Sequence, residues 1–284
     1  MQLVKLFLTL VVLVVVTPPL MLVQIVLLAL RLPLARWLPV AYHRLVCRLL
    51  GVRIQIVGAP STQRPLLLAC NHITWLDIPV ISAVAPVSFI AKSEVSKWPV
   101  VGWLAKLQRS VFVVRERRAQ TGEVTRHIAD RLDKGDAMVL FCEGTTGDGN
   151  RLRPFRSALV GAAESLVADG HDPAGVKVQP MAVVYTHING LPLGRQHRPL
   201  VAWYGDQPLG PHAWKLLRAG PVDVTVAFGE PITVEDAANR KVMTAAAQAS
   251  VGALFAQALH GHPAQNIATG PVDSGEPEIA EPAQ

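Results

Sequence analysis

The N-terminal 50 residues form the most apolar part of the chain. No charged residue occurs from Leu6 to Leu30, and about 20 apolar residues suffice to cross the hydrocarbon core of a bilayer. Pro18-Pro19 interrupts this run, so it predicts either one kinked membrane span or two short helices that enter a single leaflet. A secretory signal peptide fits less well, because the run is long and no small-residue cleavage site follows it.

A second pattern follows between Leu34 and Leu50, where arginines alternate with apolar residues and with Trp37 and Tyr42. This arrangement predicts an amphipathic helix at the level of the lipid headgroups, with arginine side chains extending toward water. The alternative is a helical hairpin that packs on a soluble domain. We therefore expect residues 1–50 to form an N-terminal membrane-associated helical segment.

Short apolar runs alternate with helical patterns from about residue 51 onward. The apolar runs predict strands at Arg53–Val57, Pro65–Cys70, Val87–Ala91, Ser110–Arg115, Ala137–Phe141, Lys177–Tyr185 and Val222–Phe228. Helical patterns fall between and after them at Leu76–Val84, Val100–Leu107, Thr121–Lys134, Phe155–Ala168 and Val234–Leu259. The alternation predicts an α/β domain over residues 51–261, with a mixed, largely parallel sheet flanked by helices. Asn189–Pro221 is rich in Gly and Pro and predicts a long surface loop.

Charge is unevenly distributed along the chain, whose formal net charge is +6. Residues 1–76 contain seven basic and no acidic residues, whereas the other 208 contain 20 basic and 21 acidic residues. A basic segment joined to an uncharged apolar run favours membrane lipids over nucleic acid as partners. Residues 262–284 are rich in Pro, Gly, Ala and Glu and lack basic residues, which predicts a disordered acidic tail.

The three cysteines, Cys47, Cys70 and Cys142, are widely spaced within apolar runs. They form neither a CxxC metal motif nor a disulfide framework, so reduced thiols in the cytoplasm fit best and no metal site is expected. The arginines follow the apolar run on its C-terminal side. The positive-inside rule therefore predicts a protein of the cytoplasmic (inner) membrane whose α/β domain faces the cytoplasm.

A histidine and an aspartate follow the apolar strand Pro65–Cys70, in the segment Asn71-His72-Ile73-Thr74-Trp75-Leu76-Asp77. Residues five apart do not share a face of a regular helix. His72 and Asp77 can meet only if the histidine lies in the turn before the helix and the aspartate in its first turn. The carboxylate would then hold one ring nitrogen and leave the other free as a base. The alternative is a neutral histidine at a strand end and an aspartate favoured by the helix dipole.

A glycine-rich segment, Cys142–Asn150, follows the predicted strand Ala137–Phe141. Its three glycines allow backbone N–H groups to turn toward an anion, and Arg151, Arg153 and Arg156 come directly after it. We expect Arg156 to open a helix. The alternative is a glycine-rich turn with a solvated basic rim. The phosphate-loop pattern G-x-x-x-x-G-K-[ST] is missing, so nucleotide binding is not indicated.

Arg115 ends another apolar strand and can bind a phosphate or a carboxylate through its forked guanidinium group. A surface arginine paired with Glu116 is the alternative. All three candidate segments follow predicted strands at their C-terminal ends. That edge of an open α/β sheet is where ligands usually bind, so the three coincidences favour a shared site.

Four blocks of the sequence together resemble the glycerolipid acyltransferases, the family of 1-acylglycerol-3-phosphate acyltransferases. The segment from Asn71 to Asp77 resembles the N-H-x4-D block of this family, and the other three blocks are Val111–Arg115, Phe141–Thr145 and Gln179–Ala182. The resemblance covers roughly residues 50–230. It implies a membrane-bound enzyme that transfers a fatty acyl group to the free hydroxyl of a lysophospholipid, most simply 1-acyl-sn-glycerol-3-phosphate, to give phosphatidic acid. The acyl donor would be a thioester of acyl carrier protein or coenzyme A, with no other cofactor.

The resemblance assigns catalysis to His72 and Asp77, and binding of the acceptor headgroup to Arg115, Glu143, Gly144 and Thr145. The sequence departs from the family at Cys142, which replaces a proline, at Arg109, which replaces a glycine, at Val114, which replaces an acidic residue, and at Thr146, where phosphate-handling members commonly have arginine. Relatives with this last feature include enzymes that acylate lyso-ornithine lipid, which is the alternative acceptor. Arg151, Arg153 or Arg156 could instead supply the missing positive charge. A non-catalytic lipid-binding scaffold is the alternative from another class.

The expected chemistry is removal of the acceptor's hydroxyl proton by His72 during attack on the thioester. An imidazole suits this role because its ordinary pKa lies close to neutral pH. The chain contains no G-x-S-x-G motif, so we expect direct attack without an acyl-enzyme. Backbone N–H groups near Gly144 are the expected donors to the developing oxyanion.

Overall fold

The computed structural model describes residues 2–113, 121–157, 161–168, 170, 172, 175–237 and 239–260. The helices are α1 (Gln2–Ala29), α2 (Leu38–Leu50), α3 (Asp77–Val84), α4 (Val101–Leu107), α5 (Thr121–Asp133), α6 (Gly161–Ala168), α7 (Leu209–Ala219) and α8 (Arg240–His260). The strands are β1 (Val52–Val57), β2 (Leu66–Cys70), β3 (Ser88–Lys92), β4 (Val111–Val113), β5 (Ala137–Phe141), β6 (Lys177–Ile188), β7 (Leu191–Pro192), β8 (Val222–Phe228) and β9 (Ile232–Thr233). The tail over 262–284 lies outside the described residues.

The strands form one sheet in the order β1-β8-β6-β2-β5-β3-β4, and the short strands β7 and β9 pair with β6. Neighbours are parallel except for β7, β8 and β9, which run antiparallel to β6. Central strand β2 ends at Cys70, level with Phe141 of β5 and Met181 of β6. The segments that follow β2 and β5 therefore reach the same edge of the sheet. The prediction of an α/β fold with a mixed, largely parallel sheet is confirmed.

Helices cover both faces of the sheet because its central strands are apolar on both sides. All five residues of β2 are buried. Leu66, Leu68 and Cys70 belong to one apolar cluster together with residues of α3, whereas Leu67 and Ala69 belong to another together with residues of α5 and α6. A continuously apolar run is the pattern expected of a strand that is covered on both faces.

Helix α1 lies against the domain through three buried polar side chains, Thr9, Thr17 and Gln24. Thr9 and Thr17 contact α2, and Gln24 contacts the residue that ends α4. Helices α1 and α2 thus form a hairpin packed on the domain, while many apolar side chains on the other faces of α1 are exposed. Phe7–Ala29 has the length and composition of a membrane-crossing helix. Arg240–His260 also has this length and composition, but these residues form α8, which contributes side chains to the apolar core on the sheet.

Two stretches that were expected to be interrupted or irregular are helical. Helix α1 continues through Pro18-Pro19, so the alternative of two short helices is wrong. The stretch Asn189–Pro221 contains α7, so a surface loop throughout is also wrong. His212 and Leu216 of α7 are buried one turn apart, and Pro211 stands in the first helical turn, where a missing N–H does no harm.

Two predicted helices begin later along the chain than expected. Phe155 and Arg156 precede α6, and their N–H groups donate to the Gln248 side chain and to the carbonyl of Cys142. Helix α8 begins at Arg240 rather than Val234. The Asn239 side chain accepts the N–H groups of the second and third helical residues, which is the bonding of an N-cap.

Candidate active site

The turn between β2 and α3 brings an imidazole and a carboxylate into contact. β2 ends at Cys70 and α3 begins at Asp77, so His72 lies in the turn and Asp77 in the first helical turn, as the spacing requires. The Nδ1 atom of His72 lies 2.8 Å from Asp77 Oδ2. The same oxygen accepts the N–H groups of Ile73 and Thr74 at 2.7 and 3.1 Å. The carboxylate therefore closes the turn and holds the ring at once.

The second oxygen of Asp77 is held by a residue from a distant strand. Asp77 is fully buried, and Tyr185 on β6 donates its hydroxyl to Oδ1 at 2.8 Å. Burial, and then the charge of Asp77, raise the pKa of Tyr185 well above its ordinary value, so the hydroxyl keeps its proton. A carboxylate with this many donors is a fixed acceptor. Such an acceptor suits the tautomer of His72 that carries its proton on Nδ1, in which Nε2 is free to act as a base.

The ring of His72 is supported on its face and remains accessible. It stacks on Phe141 with a centroid distance of 3.9 Å and an interplanar angle of 14°. The carbonyl of His72 accepts the N–H of Gly147 at 2.8 Å. This bond joins the turn of residues 71–76, called the catalytic turn below because it holds the candidate base, to the glycine-rich loop. The side chain is 18% exposed, so a substrate hydroxyl can reach it.

Asn71 extends the pairing of β2 with β6 beyond the end of the strand. Its side chain donates to the carbonyl of Val183 at 2.9 Å and accepts the N–H of Val183 at 2.8 Å. The amide thus replaces a strand residue and fixes the direction in which the chain enters the catalytic turn. Sequence reasoning assigned no role to Asn71 or Tyr185. The sequence signal of Tyr185 is a polar residue inside an otherwise apolar segment, and that of Asn71 is its place at the start of the block that resembles N-H-x4-D.

Glu143, expected to bind the acceptor headgroup, lies buried below the glycine-rich loop. Burial raises the pKa of its carboxyl to about 8, although the N–H of Arg153, 3.4 Å from Oε1, favours the charged form. The charge of Asp77 raises this pKa further. The side chain is therefore mostly protonated at neutral pH and supports the loop from inside, whereas Thr145 at the loop surface is exposed.

The loop around Gly144 presents cations at its surface. The N–H of Gly144 donates to the carbonyl of Phe141 at 3.0 Å, so this N–H is already occupied, and donation to the oxyanion by other backbone N–H groups near Gly144 stays a prediction. Its φ of +74° favours glycine, and the Arg156 side chain lies 3.1 Å from where a Cβ would stand. Arg156 and Arg151 are both exposed at this edge. Arg115 lies outside the described residues.

The stretch predicted as a surface loop packs against both catalytic segments. The N–H of Trp203 donates to the carbonyl of Ile73 at 2.9 Å. The indole N–H of Trp75, inside the catalytic turn, donates to Nδ1 of the buried His212 on α7 at 3.2 Å. Arg198 donates to the side chain of Asn150, at the end of the glycine-rich loop. The sequence signal that would have indicated this helix is the four-residue spacing of His212 and Leu216, which places both side chains on one face of a helix.

The two cysteines beside the site are poor nucleophiles. Burial raises the pKa of Cys142 to about 12 and the pKa of Cys70 well above its ordinary value. Both thiols therefore stay protonated, and a thiolate is the form that attacks carbonyl carbons. The base that this site offers is His72.

Fold and site together define a class of protein. An imidazole fixed by a buried carboxylate stands at the C-terminal edge of an α/β sheet, next to a loop with exposed arginines, which suits acyl transfer to a hydroxyl. The family model described as Acyltransferase matches residues 53–184. The chain belongs to this family.

Three relatives refine the comparison. The chain is 52% identical to the lyso-ornithine lipid O-acyltransferase of Brucella abortus, over 80% of this chain and 84% of the relative. It is 46% identical to the protein of the same name from Rhizobium meliloti, over 96% of this chain and 94% of the relative. It is 34% identical to the 1-acyl-sn-glycerol-3-phosphate acyltransferase of Neisseria gonorrhoeae, over 64% of this chain and 66% of the relative. The resemblance to the glycerolipid acyltransferases is confirmed, and the protein is an acyltransferase of this type.

A solved structure agrees with the fold. The crystal structure of the 1-acyl-sn-glycerophosphate acyltransferase from Thermotoga maritima matches 77% of this chain and 77% of its own, with a TM-score of 0.58 and 19% identity. At this identity the likeness supports the architecture alone.

Proposed function

We propose that this protein transfers a fatty acyl group from a thioester to the hydroxyl of lyso-ornithine lipid. Acyl transfer rests on one observation, the 2.8 Å contact between His72 and Asp77 that leaves Nε2 free. The choice of acceptor rests on the two relatives with 52% and 46% identity, which both carry that activity in their names. Thr146 supports it, since a small hydroxyl stands where phosphate-handling members commonly have arginine.

The reaction follows from the groups in the site. Nε2 of His72 removes the proton of the acceptor hydroxyl while its oxygen attacks the thioester carbonyl, so a C–O bond forms. The tetrahedral intermediate collapses with cleavage of the C–S bond, and the imidazolium returns the proton to the leaving thiolate. Asp77 stabilises the imidazolium, and Tyr185 holds Asp77 in place. A positioned base of this kind contributes about 10²–10⁴ in rate.

The second candidate acceptor is 1-acyl-sn-glycerol-3-phosphate. The exposed Arg151 and Arg156 favour it, because Arg156 crosses the glycine-rich loop at Gly144 and guanidinium groups bind phosphate well. The relative from Neisseria gonorrhoeae carries this activity in its name. The donor in either case is a thioester of acyl carrier protein or coenzyme A.

A radiolabelled acyl-donor assay on purified protein tests both proposals. Acyl carrier protein and coenzyme A thioesters are each offered with lyso-ornithine lipid, with 1-acyl-sn-glycerol-3-phosphate, or without an acceptor. We expect labelled ornithine lipid as the main product. Labelled phosphatidate alone would replace the first acceptor by the second. Labelled free fatty acid in all three arms would indicate a thioester hydrolase and contradict both.

Two histidine variants test the role of the base. His72→Ala should lose at least about 10²-fold in turnover, while His197→Ala should keep it, because His197 is exposed in the segment before α7. Equal turnover in the two variants would contradict the role of His72 as the base, whereas a non-catalytic scaffold would show no turnover even in the wild type.

We also propose that α1 holds the protein in the inner membrane with the α/β domain in the cytoplasm. The apolar length of Phe7–Ala29 supports this, as do the arginines that follow it, Arg31, Arg36, Arg44 and Arg48. Protease added to intact spheroplasts should leave the domain uncut and should digest it after lysis. Digestion before lysis would reverse the proposed orientation.

A further inference from the structure

A second charged site lies at the edge of the sheet opposite the catalytic turn. Asp136 is buried immediately before β5 and forms ion pairs with three guanidinium groups. Arg131 and Arg109 lie 2.7 and 2.9 Å from its oxygens, and Arg36 lies 3.7 Å away. The charges of Arg36 and Asp136 also act on Arg64, two residues before β2. These five residues are called the arginine cluster below.

The arginine cluster contains more positive charge than its own carboxylate can offset. Among its five members, four arginines face one aspartate. Arg131 is well satisfied, because it also donates to the carbonyl of Arg109 and to the hydroxyl of Ser88. The Arg36 and Arg109 side chains are 50% and 34% exposed, so an anion from outside can reach them. Crowded like charges are unfavourable unless an opposite charge joins them.

Two further features add to the cost of placing charged side chains in this cluster. Arg109 has a φ of +62°, in the left-handed region that favours glycine, yet a long charged side chain stands there. Burial, and then the charge of Arg36, lower the pKa of Arg64 from its ordinary value. Burial also lowers the pKa of Arg109, with Arg131 and Arg36 adding to the effect against Asp136. A bound anion would offset this repulsion.

The surroundings of the cluster identify the kind of anion. Gln24 donates to the carbonyls of Ala35 and Leu107 at 2.9 and 3.1 Å, which places the last turns of α1 beside Arg36 and Arg109. Four apolar side chains near the end of α1 are 43–64% exposed: Leu30, Leu32, Leu34 and Trp37. Arginines bordered by exposed leucine and tryptophan are typical of the headgroup level of a bilayer. We propose that the arginine cluster binds the phosphate group of an anionic membrane lipid.

Short-chain lipids test this proposal on the full-length protein in detergent. Dihexanoyl phosphatidylglycerol is compared with dihexanoyl phosphatidylcholine, which has the same chains and no net charge, and with inorganic phosphate and glycerol 3-phosphate. Affinity is measured by titration calorimetry, and the shift in Tm is a second readout. We expect the anionic lipid to bind at least tenfold more tightly than each of the other three. Equal affinity for the two lipids would overturn the proposal. Inorganic phosphate bound as tightly as the anionic lipid would replace the lipid by a soluble anion.

Three arginine variants locate the binding. Arg109→Gly removes the guanidinium and suits the positive φ, so its Tm without lipid should stay close to that of the wild type. Arg109→Gly and Arg36→Gln should each lower the affinity for phosphatidylglycerol about fivefold. Arg53→Gln is the matched control, since Arg53 is exposed and paired with Asp223 on strand β8. Unchanged affinity in the first two variants, or an equal loss in the control, would overturn the assignment of the site to the cluster.

Discussion

The buried contact between Tyr185 and Asp77 gives the sharpest prediction. Replacing Tyr185 by phenylalanine removes one hydroxyl and leaves the packing of the ring unchanged. Among the described residues, that hydroxyl is the hydrogen-bond donor to Asp77 Oδ1, at 2.8 Å. Asp77 has no exposed surface and Tyr185 is 3% exposed, so water cannot replace the lost donor. Oδ2 keeps its bonds to the catalytic turn.

The size of the effect follows from the charge of the acceptor. A hydrogen bond to an ionised group contributes about 1.5–3 kcal/mol net to stability. In a domain of this size about 2 kcal/mol corresponds to a fall in Tm of about 4–8 °C. A loss of about 1.4 kcal/mol in the transition state lowers kcat about tenfold, because the imidazolium then forms beside a less rigidly held carboxylate. The Tyr185→Phe variant should show both effects.

The assay measures kcat with radiolabelled donor and Tm in the same detergent. Tyr42→Phe is the matched control, since its hydroxyl bonds to that of Thr17 between α1 and α2, at 3.0 Å, and not to Asp77. It should lower Tm modestly and leave kcat unchanged. If Tyr185→Phe keeps kcat within a factor of two and Tm within about 1 °C of wild type, the reasoning about Asp77 is refuted.

Three more variants test other parts of the site. Folding raises the pKa of the Glu143 carboxyl to about 8 from an ordinary 4.5, so between these pH values the carboxyl is ionised in the unfolded chain and protonated in the folded chain. The free energy of unfolding should therefore fall by about 4 kcal/mol as the pH rises from about 4.5 to about 8. Glu143→Gln should abolish this loss, as measured by Tm against pH. Trp75→Phe removes the N–H that binds His212 and should lower kcat about threefold to tenfold with the KM for the thioester unchanged, as measured by steady-state kinetics. Asn71→Asp replaces the amide that donates to Val183 by a buried carboxylate and should lower stability by about 3 kcal/mol in urea unfolding.

Each of these has an outcome that contradicts it. A pH profile of Tm that is the same in wild type and Glu143→Gln would mean that burial does not hold that proton. A Trp75→Phe enzyme with a raised KM and normal kcat would place the indole in substrate binding instead of support of the turn. Urea unfolding of Asn71→Asp at the wild-type midpoint would show that the side-chain pairing with β6 contributes little.

Features that depend on residues close together in the sequence could be predicted from the sequence. The uninterrupted apolar run Pro65–Cys70 predicts a covered strand, and the structure has β2 there, because burial on both faces demands apolar side chains at every position. The five-residue spacing of His72 and Asp77 allows contact only across a strand-to-helix turn, and that turn is present. The segments after β2 and β5 were expected at one edge, since parallel strands end together.

The first residues of helices and the structure of the stretch before β8 were harder to predict from the sequence, because they depend on contacts with residues far away in the chain. Gly and Pro content predicted a loop over Asn189–Pro221, yet α7 forms there and buries His212 against the catalytic turn. The residues near Phe155 in the sequence do not indicate that its N–H group donates to the side chain of Gln248. Local propensity is a weak prior that such contacts override.

The tertiary structure alone decided which distant groups support the catalytic pair. Asp77 and Tyr185 are 108 residues apart, Asn71 and Val183 are 112 apart, and Trp75 and His212 are 137 apart. The first two contacts exist because β6 lies beside β2 in one register, and the third exists because α7 packs against the turn between β2 and α3. A shift of that register by one residue would turn every β6 side chain to the other face of the sheet and remove the tyrosine from the carboxylate. The sequence by itself determined the strand, the turn and the two reacting side chains, and the pairing of strands determined the network that holds them.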